Sequence, residues 1–209
     1  MESHRGLSNP SALSTQLTEH EQAAVDKEVA HFRPLSLALP TIEDPAFKPI
    51  YQSRTITHGG RGHTLMADTW NTSATITHLL SFARYKTDSL PAEVRRFYTF
   101  GAGLNAHPGL LHGGVVSCIL DSSMGGMAGI AVMEKPKLEG KESMFTVQLN
   151  VKFEKPVTTP GSVMVKAWVK SVDAAGRKIW IQGQIVSGER GEITHARAEG
   201  MWLRVVAKL

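Results

Sequence analysis

Phe145, Val147, Leu149, Val151 and Phe153 alternate with Thr146, Gln148, Asn150 and Lys152. A period of two predicts a β-strand with one apolar face. SVMVKAWVKSV, KIWIQGQIVS and ITHARAEGMWLRVV read as three further strands. The connections EKPVTTPG, DAAGR and GERGE are short and turn-rich, which predicts antiparallel neighbours in a four-strand meander. Upstream the pattern changes. Residues 112–133 are apolar on every side, which predicts a helix buried all round rather than one lying on a surface. EVRRFYTFG and residues 51–57 read as strands, the latter followed by the loop HGGRGH. In NTSATITHLLSFARYK, Ile76, Leu79, Leu80 and Ala83 fall at helical spacing behind a Thr72 or Ser73 cap, so a helix is predicted there. LTEHEQAAVDKEVAHF predicts another helix, with Thr18 as N-cap and Glu21 closing a capping box. RPLSLALPTIEDPAFKP contains four prolines and predicts an extended linker. Residues 1–17, rich in Ser, Asn and Gly, predict a mobile start. The order implies an α+β protein: an N-terminal extension over residues 1–50, then one domain over residues 51–209.

Composition narrows the partners. A chain of 209 residues is long enough for a real hydrophobic core. The net charge of +4 suits an anionic ligand, but the basic residues are scattered apart from Arg95-Arg96, and no nucleic-acid motif appears. No uncharged apolar run reaches the ~20 residues of a membrane helix, and the first residues lack a signal pattern, so neither a membrane partner nor secretion is expected. The one cysteine, Cys118, excludes an internal disulfide and fits a reducing compartment. Ala207-Lys208-Leu209 has the small-basic-leucine form of a peroxisomal tripeptide, so the expected location is peroxisomal or cytoplasmic.

Several motifs are decoys. GAGLNA fits a dinucleotide-binding pattern, but Pro108 and Gly109 follow it and the later strands are antiparallel. His112-Gly113-Gly114 resembles an oxyanion loop of lipases, yet no G-x-S-x-G elbow exists. Cys118 lies mid-helix without a nearby base. His58 and His63 have no carboxylate or cysteine close in sequence, so no metal and no cofactor is expected. What remains is Asp121, the one residue from 101 to 133 with a formal charge at neutral pH. It shares a helical stripe with Ser117 and Gly125. A carboxylate in a dry core needs a cationic partner or a solvated cleft. The glycines at the helix start let the backbone approach a ligand closely. Free N–H groups there would stabilise an oxygen that gains negative charge.

NAHPGLLHGGVVSCILDSSMGG resembles the signature of the PaaI-like hotdog-fold thioesterases, G-H-P-G-x-x-H-G-G-x-x-x-x-x-x-D-E-x-x-G. MFTVQLNVKFEKPVTTPGSVMVKAWV resembles the family's next two strands, and DTWNTSATITHLLSFARYKT the extension of fungal members. The resemblance implies a long central helix wrapped by an antiparallel sheet, in homodimers or homotetramers with sites at the dimer interface. It implies an acyl-thioester hydrolase acting on acyl-CoA or a carrier-bound acyl group. Gly113, with Gly114 beside it, would polarise the carbonyl and His112 would shape the loop. Asp121 would act as general base or nucleophile and Thr146 would orient it. Two departures stand out: Ala106 replaces an Asn that holds the carbonyl in some members, with Asn105 and His107 flanking it, and Asp121-Ser122 replaces Asp-Glu. Ser117 on the Asp121 stripe, together with Met124 and Met127, completes the expected substrate contacts. The same carboxylate would also suit lyase, hydratase, isomerase or cyclase chemistry on a biosynthetic, polyketide-like intermediate. A non-catalytic acyl-CoA binding module is the third reading.

Overall fold

The structure is a computed structural model, which describes residues 17–50, 57–58, 61–62, 64–133, 135–136, 138 and 142–206. The chain opens with α1 (Glu19–Phe32), started by the expected box: Glu21 N donates to Thr18 Oγ1 at 3.3 Å, and Thr18 N donates to Glu21 Oε2 at 2.8 Å. The proline-rich segment that follows is not an extended linker. It makes a short helix, α2 (Leu39–Ile42), and an edge strand, β1 (Lys48–Pro49). Pro40 sits in the first turn of α2 and Pro49 on the sheet edge, two places where a missing N–H does no harm. Leu35, Leu37 and Phe47 from this segment then pack with Phe32, Phe82 and Phe97 into an apolar cluster of its own.

Two-residue strands β2 (Thr57–His58) and β3 (Arg61–Gly62) form a small hairpin in the expected HGGRGH region. Residues 51–56 of the expected strand lie outside the described residues, as do 1–16, where a mobile start is expected, and Ala207-Lys208-Leu209. Next come β4 (Ile76–Arg84), β5 (Glu93–Phe100), the short pair β6 (Asn105–His107) and β7 (Leu110–Leu111), and the central helix α3 (Gly113–Ala131). The chain ends with β8 (Glu142–Phe153), β9 (Gly161–Val172), β10 (Lys178–Ser187) and β11 (Ile193–Val206).

β4 is a strand where helical spacing predicts a helix. Both of its faces are apolar and buried: Leu79 and Ala83 face the α3 side, while Leu80 and Phe82 join the α1 cluster. A bulge between Ile76 and His78 shifts the register further. Two apolar faces plus a bulge imitate a period of 3.6.

Seven strands form one sheet in the order β1-β4-β5-β9-β10-β11-β8, with every pairing antiparallel. The meander is therefore partly corrected. β9, β10 and β11 are consecutive hairpins, but β8 pairs with β11, and residues 154–160 carry the chain past β11 and β10 to reach β9. Three strand spacings amount to roughly 14 Å, well within the reach of that segment. The sheet curves around α3, whose Ile119, Leu120, Met124 and Met127 are fully enclosed. α3 packs tightly on β10 at Gly183, where an added Cβ would stand 2.9 Å from both Cγ and Sδ of Met124. The helix is not buried all round. Ser117, Cys118, Asp121, Ser122, Gly125, Gly126 and Gly129 form a half-open stripe. Small side chains make that stripe read as apolar, although they bury little surface. A long helix held in an antiparallel sheet, with α1 on the sheet's other face, is the hotdog architecture.

Candidate active site

The start of α3 is pinned before the helix begins. Leu111 N donates to Val157 O and His112 N to Leu104 O, both at 2.9 Å. His112 is the N-cap, and Gly114 N donates to its Nδ1 at 2.8 Å. An imidazole that accepts at Nδ1 carries its proton on Nε2. A Cβ on Gly114 would stand 2.9 Å from His112 Nδ1, so this cap requires a glycine. Val115 N and Val116 N both donate to His112 O. Among the first amides of the helix, Gly113 N–H is the one these bonds leave over. Gly113 lines a cavity of about 220 Å³ whose walls include Leu111, Val116, Phe153, Lys155 and His195.

His195 is a residue that sequence reading misses. It is buried, its Nδ1 donates to Pro156 O at 2.8 Å, and its Nε2 meets Ser187 Oγ at 2.7 Å. Its carbonyl accepts from Glu154 N and Lys155 N. His195 thus fixes the crossover segment that walls the cavity. The pattern holds little signal for this, because the ring reaches a backbone carbonyl 39 residues away in the chain.

Asp121 lies on the half-open stripe, and Thr146 Oγ1 on β8 donates to its Oδ1 at 2.8 Å. Among the described residues no Lys or Arg pairs with it, so the salt bridge to the sheet is not what holds it. The Cys118 thiol is pushed up by burial and by the charge of Asp121, which keeps it protonated. Ser117 Oγ turns back to Gly113 O at 3.2 Å. Asn105 accepts a hydrogen bond from Thr159 Oγ1, and His107 is exposed. Met124 lies in the core against Gly183 rather than on an open cavity, and Met127 is equally enclosed. The structure therefore brings Asp121 and Thr146 together, and separately His112, Gly113 and Gly114. Asp121 and Gly113 are eight residues apart on one helix, roughly 12 Å along its axis.

Arg96 is the second missed residue. Alternation along β5 sends Arg95 outward and Arg96 inward, where it is 6% exposed beneath α3. Its Nη1 donates to Ser122 Oγ at 2.8 Å, and among the described residues its Nε has no partner and no carboxylate pairs with it. A Cβ on Gly126 would stand 2.7 Å from its Nη2, so a small helix residue makes room for the guanidinium.

The helix start, the carboxylate and the wrapped sheet are the parts of a hotdog fold. The family model described as Thioesterase superfamily matches residues 108–185, from just before α3 through most of β10. A bovine (Bos taurus) protein named acyl-coenzyme A thioesterase THEM4 is 27% identical over 105 residues, which is 50% of this chain and 38% of that protein. The chain thus spans well under two thirds of that relative's length. Among solved structures, a thioesterase from Haemophilus influenzae is 14% identical with a TM-score of 0.46, covering 59% of this chain and 78% of the other. The Escherichia coli PaaI protein of the phenylacetic acid degradation operon is 17% identical with a TM-score of 0.43, covering 56% and 75%.

Proposed function

We propose that this protein hydrolyses acyl thioesters, with acyl-CoA as the substrate class. The observation that carries the reading is the combination of one helix-start amide left over by the cap, at Gly113 beside a cavity, with a carboxylate that a hydroxyl orients and that no cation among the described residues neutralises. The thioester carbonyl oxygen accepts from Gly113 N–H, where the positive end of α3 stabilises the charge it gains. Asp121 removes a proton from water, which attacks the carbonyl carbon. The tetrahedral intermediate collapses, the C–S bond breaks, and the proton held by Asp121 passes to the leaving thiolate. The products are a carboxylate and a free thiol.

The separation of roughly 12 Å between Gly113 and Asp121 on one helix is too long for both to serve one carbonyl and its water. The working site therefore combines Gly113 of one copy with Asp121 of another, in a homodimer or a dimer of dimers. Edge strand β8 supports this assembly. Among the described residues its outer side is unpaired, and Phe145, Val147 and Phe153 are 59%, 55% and 56% exposed. An apolar free edge of that kind invites a second copy. Lys155, which lines the cavity, would meet a phosphate of CoA.

The test is free-thiol release from short, long and aromatic acyl-CoAs by the wild type and by Asp121→Asn at equal folded concentration. Turnover by the wild type that falls by a factor on the order of 10²–10⁴ in the variant is the expected result. No thiol release by a well-folded wild type would overturn the proposal and turn attention to proton transfer on a carbon skeleton.

A further inference from the structure

On the sheet face turned away from α3, the N-terminal extension closes a second cavity, of about 430 Å³. That volume is within the range of small-molecule sites. Leu37, Pro40 and Met164 give it an apolar wall. Arg95, Lys166 and Arg190 give it positive charge, against one lining carboxylate, Glu189.

The charge arrangement is unfavourable as it stands. Arg95 on β5 and Lys166 on β9 are direct cross-strand partners, and like charges placed opposite each other repel. The nearest acid that relieves them, Glu93, is already taken: its Oε1 accepts from Arg95 Nε at 2.7 Å and its Oε2 from Arg84 Nη2 at 2.8 Å. Arg95 is further fixed by Thr41 Oγ1 at 2.9 Å and by lying over the Phe47 ring. Lys166 is half-buried, and burial together with Arg95 holds its ammonium below the usual lysine range. Among the described residues neither Lys166 nor Arg190 makes an ion pair, although the Glu192 carboxylate, which accepts from Arg190 N, lies near enough to feel the Arg190 charge. Two cations with free donors thus face one partly apolar space.

We propose that this cavity is a binding site for a small organic anion, a carboxylate or phosphate carried on an apolar body, with Lys166 and Arg190 holding the anionic group and the Leu37–Pro40–Met164 wall its body. A bound anion offsets the Arg95–Lys166 repulsion, and it ties the extension to the sheet because residues of both line the cavity. The site lies on the far side of the sheet from Gly113 and Asp121, so it stands or falls independently of thioester hydrolysis.

Calorimetric titration with octanoate, octanamide and inorganic phosphate tests it, on the wild type, Lys166→Met and Arg190→Gln. Lys166→Met keeps the apolar stem and removes the like-charge pair, so this variant is expected to fold with an unchanged or higher Tm. Octanoate binding that weakens at least tenfold in each variant, with no binding of octanamide, is the expected result. Phosphate binding with the same dependence on Lys166 and Arg190, without octanoate binding, also supports an anion site and assigns it to phosphate. Equal binding of octanamide, binding unchanged in both variants, or no binding of either anion would overturn it.

Discussion

An alanine at position 183 has no room for its methyl group. The added carbon would stand 2.9 Å from Cγ and Sδ of Met124 and 3.3 Å from the carbonyl oxygen of Lys166 on β9. Met124 is fully enclosed, so its side chain moves only by displacing other core atoms, and the Lys166 carbonyl belongs to a strand paired on both sides. Overpacking of this kind costs about 1–3 kcal/mol, and at ~2–4 °C per kcal/mol for a chain of this size Tm should fall by about 2–12 °C. Met124→Ala alone leaves a cavity and costs about 2–5 kcal/mol. The two effects should not add. In the Met124→Ala background the new methyl occupies vacated space, and its penalty should shrink to near zero or change sign, a coupling of at least ~1 kcal/mol. Urea unfolding of the wild type, both single variants and the double variant measures this, provided the m-value stays constant. Additivity to within ~0.5 kcal/mol would refute the reasoning, because it would mean that Gly183 and Met124 do not meet.

Thr146→Val removes the donor that holds Asp121, and kcat for thioester hydrolysis should fall about tenfold from a lost charge-assisted hydrogen bond of ~1.5 kcal/mol, with KM little changed; steady-state kinetics that show a KM effect alone would count against this role. Arg96→Met should leave stability within ~1 kcal/mol of the wild type or raise it, since the guanidinium is buried without a carboxylate; a large loss of urea stability would show that its bond to Ser122 outweighs its desolvation. His31 stacks on His78 with ring centroids 3.5 Å apart, and its pKa is lowered by burial, then by His78, with Glu28 opposing. The native state therefore takes up this proton less readily than the unfolded chain. Stability linked to His31 is fully present above the unfolded value of about 6.5 and is lost as pH falls through the folded value. Unfolding midpoints from pH 8 to pH 5 should fall more steeply for the wild type than for His31→Asn, and parallel curves would refute the linkage.

The local geometry of the candidate site was more legible in the sequence than the order of the sheet. The cap at His112, the two glycines after it and Asp121 all lie within one short segment, and the rules that govern them are those of a single helix start. Thr146 was legible only through the resemblance: alternation alone sets it on the polar side of β8, but an irregularity in the β8–β11 register turns it to Asp121 and leaves Phe145 and Val147 exposed. The order of strands was not legible, since nothing in EKPVTTPG distinguishes a hairpin from a crossover; both need a polar, turn-rich path, and pairing with β11 is decided only when the last strand arrives. β4 misled because burial on both faces erases the alternation that marks a strand. The two missed residues fail for a related reason. Arg96 and His195 are polar groups turned inward, and what each touches comes from elements distant in sequence. The proline-rich segment shows the limit of composition, because prolines at a helix's first turn and on a sheet edge are compatible with tight packing.

The choice of cap at α3 has an electrical consequence. Ser, Thr, Asp and Asn are the common residues at that position. An aspartate at 112 would satisfy the same amide, but it would set a full negative charge beside Gly113 and cancel much of the potential of the helix end. Neutral imidazole supplies a lone pair and nothing more. The terminus is mechanically closed at Gly114 and electrically unspent at Gly113, so an arriving anion or a polarising carbonyl meets an undiminished dipole. Histidine at this position separates two tasks that an acidic cap would set against each other.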